Sequence, residues 1–175
     1  NALIFHCDGD TKNIPAEVIE SRFPLLITRH ELRIDSGGKG KFRGGLGIIR
    51  DYKILKNYAH VTSMMDRELC PPWGLFGGGD GKHCEMNTID KKNNKKKYMK
   101  KMRLLIDSNT TVSINTGGGG GWGNPLKRSP ESVREDVLNE YISIESAIKD
   151  YGVSINPKTK QINYNQTKKM RRINK

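Results

Sequence analysis

Glycine dominates three separated stretches of this chain, and glycine at that density excludes ordinary helix or strand there. The first, Asp35 to Gly47, holds six glycines in 13 residues. The second, Cys70 to Gly81, reads Cys-Pro-Pro-Trp-Gly-Leu-Phe-Gly-Gly-Gly-Asp-Gly, where proline also removes backbone donors. The third is Gly117 to Gly121 followed by Trp122, Gly123, Asn124 and Pro125. Glycine tolerates positive φ and lets another backbone approach where a Cβ would clash. Turns and close chain contacts are therefore expected in all three stretches. A polyglycine loop can also present N–H groups to a phosphate or carboxylate. The chain has no GxxxxGK[ST] pattern, and no strand runs through a Gly-x-Gly motif into a helix. Close packing of strands or protein partners is the favoured reading, ahead of an anion site at Gly118, Gly119 and Gly120.

Hydrophobic periodicity places the regular elements around these stretches. Ile14 to Phe23 reads as a short helix with Val18, Ile19 and Phe23 on one face. Pro24–Ile34, Ile48–Leu55, Ala59–Met65, Lys82–Asp90, Met102–Ile106 and Thr110–Asn115 read as strands. The basic run 91–101 reads as an exposed hairpin tip or loop. From Ser129 the period becomes helical: Ser129 is an N-cap, Pro130 takes the first helical position, and Val133, Val137, Leu138 and Tyr141 form a stripe. Ser143 caps a second helix that Gly152 ends. Val153–Ile155 and Gln161–Asn163 flank a hairpin turn, and Thr167–Ile173 reads as a short basic helix. The expected fold class is α+β: a strand-rich part over residues 1–128 with glycine-rich loops, then C-terminal helices with a hairpin over 129–175.

A net charge of +12 raises the question of a polyanion partner. The excess is local. Lys91–Arg103 holds eight Lys/Arg and no acid, and Lys158–Lys175 holds seven and no acid. The remainder carries more acids than bases, so the runs read as solvated surface and nucleic acid is not the expected partner. No run of about 18 apolar residues marks a membrane span. The first eight residues lack a signal-peptide pattern and an initiator Met, as in a fragment or processed chain. Cys7, Cys70 and Cys84 make an odd count with no CxxC pair, which fits a reducing compartment.

No self-sufficient active site emerges from residue types and spacing. Ser36 and Ser63 lack a GxSxG context, and His30, His60 and His83 are scattered. His6 with Asp8 and Asp10 is a possible metal-ligand group, but a solvated polar segment is the favoured reading. Asp35 with Arg43, and Asp66 with Arg67, stand beside glycine turns, where opposite charges often pair to fix the turn. Arg67 is the candidate for holding a carboxylate or phosphate.

Ordered motifs over nearly the whole chain resemble one family. Arg33 through Gly47 resembles the R-x-D-S-G-G-x-G-x-x-R-G-G-x-G signature of the hydantoinase B/oxoprolinase family. Asn13–Glu20 resembles the segment before it. Asp66-Arg67 with Pro71–Leu75 and Gly77–Gly79, then Thr116–Pro125, resemble later motifs in family order. Asp150–Val153 resembles the C-terminal end. Two departures stand out: Asn115-Thr116 precede the polyglycine where the family usually has proline, and Asn124 replaces an acid before Pro125. The Lys91–Lys101 insert also looks longer and more basic than usual.

The resemblance implies a cytoplasmic, ATP-dependent hydrolase of cyclic amides, of hydantoinase or 5-oxoprolinase type, built with an ATP-binding hydantoinase A-type partner. A biotin-independent acetone or acetophenone carboxylase component is the neighbouring expectation, and a polyanion-binding module the unrelated one. ATP and a divalent metal are implied for the complete assembly. The family's metal ligands lie mainly in the N-terminal part of the B-type polypeptide, so this chain alone is expected to be inactive, with no metal ligand and no cofactor of its own. Substrate-binding or interface candidates are Asp35, Arg43, Asp66, Arg67, Trp73, Gly118, Gly119 and Gly120.

Overall fold

The computed structural model describes residues 14–65, 67, 69–98 and 102–173. Two compact units interleave along the chain. The glycine-rich segments 32–47 and 70–83 group with the C-terminal helices, and not with the strands that precede them. Sequence order alone, with its division at 128, does not anticipate this interleaving.

The first unit carries helix α1 (Ala16–Arg22) and strands β1 (Leu25–Leu32), β2 (Ile48–Ile54), β3 (Tyr58–Ser63), β4 (Glu85–Ile89), β5 (Lys95–Tyr98), β6 (Met102–Asp107) and β7 (Thr111–Asn115). A five-stranded sheet has the order β1-β2-β7-β4-β5, and β3 pairs with β6 separately. β7 lies antiparallel between β2 and β4, with Val112 opposite both Tyr52 and Thr88. β3 and β6 run antiparallel from Tyr58↔Asp107 to Ser63↔Met102. Ile54, Met86, Ile106 and Val112 form this unit's buried core, flanked by Leu25, Val61 and Leu104. The opposite face of the large sheet puts Asp51, Ser113 and Asn87 in one row across three strands, all buried.

The basic run opens as the expected exposed hairpin tip over 91–94 and then continues as a strand. Lys95–Tyr98 is a strand, joined to β4 by a turn that Asp90 organises. Asp90 Oδ1 accepts the N–H groups of Lys92 (2.7 Å) and Asn94 (2.9 Å), and Asn93 takes a positive φ of 62°. Side chains alternate across a strand, so an edge strand accommodates consecutive lysines in solvent. One of them, Lys97, turns to Glu85 on β4 at 2.5 Å.

The second unit carries helices α2 (Pro130–Leu138), α3 (Ile144–Lys149) and α4 (Tyr164–Ile173). Ser129 and Ser143 cap α2 and α3 as their sequence contexts predict, each accepting the N–H three residues on at 3.0 Å. Gly152 ends the α3 segment at φ +61°. Val133, Val137, Ile142, Ala147, Tyr151, Val153 and Ile155 make one buried cluster. The anticipated hairpin is reduced to a single bridge, Ile155↔Ile162, around a turn in which Asn156 Oδ1 accepts from Lys158 and Thr159. α4 starts earlier than expected because Asn163 Oδ1 accepts the Gln166 N–H and closes its first turn.

Candidate functional site

The three glycine-rich segments belong to the second unit and run side by side, each hydrogen-bonded to the other two. Gly38 donates to Gly119 O (2.8 Å) and Gly119 to Gly45 O (2.9 Å), tying the first segment to the third. Gly79 donates to Lys39 O (2.7 Å) and Lys82 to Ser36 O (2.8 Å), tying the second to the first. Gly121 donates to Gly79 O (2.9 Å) and Gly118 to Lys82 O (3.1 Å), closing the triangle. Backbones this close leave no room for side chains. A Cβ on Gly118 would sit 1.8 Å from Ser36 O, and one on Gly120 would sit 1.9 Å from Trp73 O. The N–H groups of Gly118 and Gly119, which a polyglycine run could have offered to an anion, already donate to carbonyls within the bundle.

Asp35 opens the first glycine segment and Arg43 lies within it, and the structure does not pair them. Asp35 accepts the Ser143 N–H at the start of α3 (2.9 Å), while its own N–H donates to Tyr141 O (3.1 Å). Arg43 Nε lies 3.5 Å from Asp136 Oδ2, and Arg128 Nη2 lies 2.8 Å from the same oxygen. The Arg43 guanidinium also covers the Tyr141 ring at 5.0 Å. The expected Asp35–Arg43 pair is therefore replaced by two separate fastenings to the helices. Two cations share one buried carboxylate, an arrangement whose stability depends on that carboxylate staying charged. Asp136 escaped the sequence reading. Its signal was an acid on the same helix face as Val133 and next to Val137, where an apolar residue is the norm.

The other candidates are spread out. Trp73 is 63% exposed. Nearby in the same unit, Phe42 and Phe76 place their rings 5.4 and 5.5 Å from Trp122. Arg67 belongs to the first unit, has φ +61°, and its carbonyl accepts the Cys84 N–H. Asp66 lies outside the described residues, as do His6, Asp8 and Asp10. Among the described residues no three His, Cys, Asp or Glu side chains come together as metal ligands would. No helix among them is long and apolar enough to cross a membrane.

A cleft of about 240 Å³ opens where the first two glycine segments meet α3. Asp35, Lys39, Asp80, Lys82, Asp150 and Tyr151 line it, with Gly37 and Gly79. Lys39 Nζ donates to Asp150 Oδ1 at 2.7 Å. Asp80 Oδ1 accepts the Gly74 N–H at 2.9 Å. Burial pushes the Tyr151 phenol up to about 12.

The family model for hydantoinase B/oxoprolinase matches residues 1–125. An uncharacterised protein of Methanocaldococcus jannaschii is 42% identical over 91% of the chain. A Pseudomonas sp. (strain NS671) protein, provisionally named as the B-type component of a D-/L-hydantoinase, is 35% identical over 94%. The chain spans 28% of the length of each. Among solved structures, the ATP-dependent caprolactamase of Pseudomonas jessenii matches 90% of the chain and 28% of its own, at TM-score 0.76 and 28% identity. A nucleotide-free acetone carboxylase matches 91% and 26%, at TM-score 0.80 and 20% identity, a likeness of fold alone. With the family model covering most of its length and the glycine motifs folded into one bundle, the chain belongs to the hydantoinase B/oxoprolinase family.

Proposed function

We propose that this chain is a component of an ATP-dependent hydrolase of cyclic amides and works with an ATP-binding A-type partner. The observation that carries the reading is a likeness to the ATP-dependent caprolactamase that covers 90% of the chain, through both units. The name of the Pseudomonas relative, the B-type component of a hydantoinase, supports both the reaction class and a partner polypeptide. Hydrolysis is preferred to ketone carboxylation because identity to the caprolactamase is 28%, against 20% to the acetone carboxylase.

The part assigned to this chain is structural support and positioning. Among its described residues no three His, Cys, Asp or Glu side chains come together as metal ligands would, and the N–H groups of Gly38, Gly79, Gly118, Gly119 and Gly121 already donate to carbonyls. No catalytic step is therefore routed through a metal or a nucleotide here. The bundle sets a hydrogen-bonded backbone edge bearing exposed aromatic side chains, and well-anchored elements hold a shared site more accurately than free loops do.

Reconstitution tests this. The chain is combined with the A-type partner and the remaining B-type polypeptide, and ATP hydrolysis is followed with hydantoin, 5-oxoproline or caprolactam. Stimulated ADP release with ring opening is expected, and lost when this chain is omitted. Turnover of acetone with bicarbonate, and none of a cyclic amide, sinks the hydrolase reading.

A further inference from the structure

We infer that the aromatic patch on the glycine bundle, Phe42, Phe76 and Trp122 with Leu75 beside them, is the seat of the remaining part of the B-type polypeptide, which docks through a surface apolar at its centre and acidic at its rim. The inference rests on the functional reading above for the existence of that polypeptide. The docking surface and its chemistry come from the side chains.

All four residues belong to the second unit, and they come from all three glycine segments. Backbone bridges join Trp122 to Phe42 and to Leu75. The Trp122 ring meets Phe42 at 5.4 Å and Phe76 at 5.5 Å. The cluster still faces solvent: Phe42 is 58% exposed, Leu75 50%, Phe76 78% and Trp122 44%. Single exposed apolar side chains are ordinary, but a contiguous patch of them marks an interaction surface.

Phe76 adds a cost in backbone conformation. Its φ is +52°, the left-handed region where a Cβ crowds the carbonyl and where glycine or asparagine is the usual residue. With Gly77 at φ +89° it forms a tight turn, closed by the Gly78 N–H on Leu75 O at 2.9 Å. That turn needs positive φ and does not need a phenyl ring. An exposed aromatic held in a strained conformation points to function outside the unit.

Charge and area select the occupant. The segments that build the patch, 37–47, 73–79 and 117–128, hold five Lys/Arg and no acid. Lys39 is tied to Asp150, and Arg43 and Arg128 to Asp136. Lys41 and Lys127 are exposed and make no ion pair among the described residues, and Lys41 Nζ stands over the Phe42 ring at 5.5 Å. A second copy docked by two-fold symmetry would bring like-charged rims together. The patch exposes on the order of 400 Å² at roughly 200 Å² per aromatic side chain, about half of what one side of a stable dimer buries. The occupant is therefore a larger, acid-rimmed surface that covers the patch and its surroundings. The relatives carry such a mass: this chain spans 28% of two of them and 28% of the caprolactamase chain, and the rest of each lies outside the match.

Hydroxyl-radical footprinting of the full chain tests this. The chain is treated alone, with the A-type partner, and co-expressed with the part of the Methanocaldococcus jannaschii relative that lies outside the match. Oxidation of Phe76 and Trp122 is expected to fall about fivefold with that part. It is expected to stay unchanged with the A-type partner or when the chain's own concentration is raised. Phe76→Asn, which suits positive φ, is expected to weaken the complex about tenfold, as loss of an interface anchor does, while the melting temperature of the chain alone holds or rises. Lys41→Glu should weaken it several-fold at low salt and less at high salt. The inference is overturned if both rings stay accessible, or if the A-type partner or a second copy protects them instead. Phe76→Asn that lowers the melting temperature and leaves binding intact also overturns it. Ring opening of a cyclic amide with both rings still accessible would overturn this inference and leave the functional reading standing. Protection without turnover would do the reverse.

Discussion

Single atoms decide which glycines are indispensable. Gly120 and Gly119 are neighbours, but a Cβ on Gly120 would lie 1.9 Å from Trp73 O, whereas one on Gly119 would find its nearest atom, Gly45 N, at 3.2 Å. Gly120→Ala forces two backbones apart and is expected to cost about 3 kcal/mol or more, at the upper end of overpacking penalties. Gly119→Ala should cost roughly 1 kcal/mol. Urea denaturation of the two variants checks the difference, and equal midpoints would contradict the bundle geometry. Asp136 is the charged counterpart. Neutralising it in Asp136→Asn leaves Arg43 and Arg128 sharing a site with no anion, and about 3 kcal/mol of destabilisation is expected. The glycine runs were plain in the sequence, but which way each glycine faces was not. Arg43 was visible as a charge beside a turn, but its partner lies 93 positions downstream, beyond the reach of any local pattern.

Elements were more legible than contacts, because capping and periodicity are local. Ser129 and Ser143 announced α2 and α3, and Ser129→Ala is expected to cost about 1 kcal/mol, read from the shift in thermal midpoint. The basic run forms the expected hairpin tip over 91–94, and it goes on as a strand for a physical reason: high charge argues against a buried strand but not against an edge strand, and β5 is the sheet's edge. Its lysines discourage another chain from pairing there. Tyr151, just after α3, gives that part of the chain a pH signature. Its folded pKa is raised from 10 to about 12, so below pH 10 the phenol is protonated in both states and contributes no pH dependence. Above pH 10 the unfolded chain loses the proton first, and stability falls through pH 12 by on the order of 2–3 kcal/mol. Tyr151→Phe should flatten that part of the stability profile, and an unchanged slope would mean the phenol is not buried as described.

At the scale of the whole chain, interleaving has a consequence that a division into 1–128 and 129–175 hides. The glycine bundle has few side chains with which to bury apolar surface, so its ordering entropy must be offset elsewhere. The buried cluster of its unit runs from Val133 to Ile155, entirely C-terminal to that division. The charged fastenings point the same way: Asp35 reaches Ser143, Lys39 reaches Asp150 and Arg43 reaches Asp136. A truncated chain ending at residue 128 therefore keeps all three glycine segments but loses their apolar core and every one of these anchors. The first unit keeps its own core of Ile54, Met86, Ile106 and Val112. Hydrogen exchange on the truncated chain should retain protection at the amides of β2, β4 and β7. The amides of Gly38, Gly79, Gly119 and Gly121, all donors to carbonyls in the intact chain, should exchange at unfolded rates. Slow exchange at those four glycines in the truncated chain would mean that the bundle holds itself together through its backbone alone, without the helices.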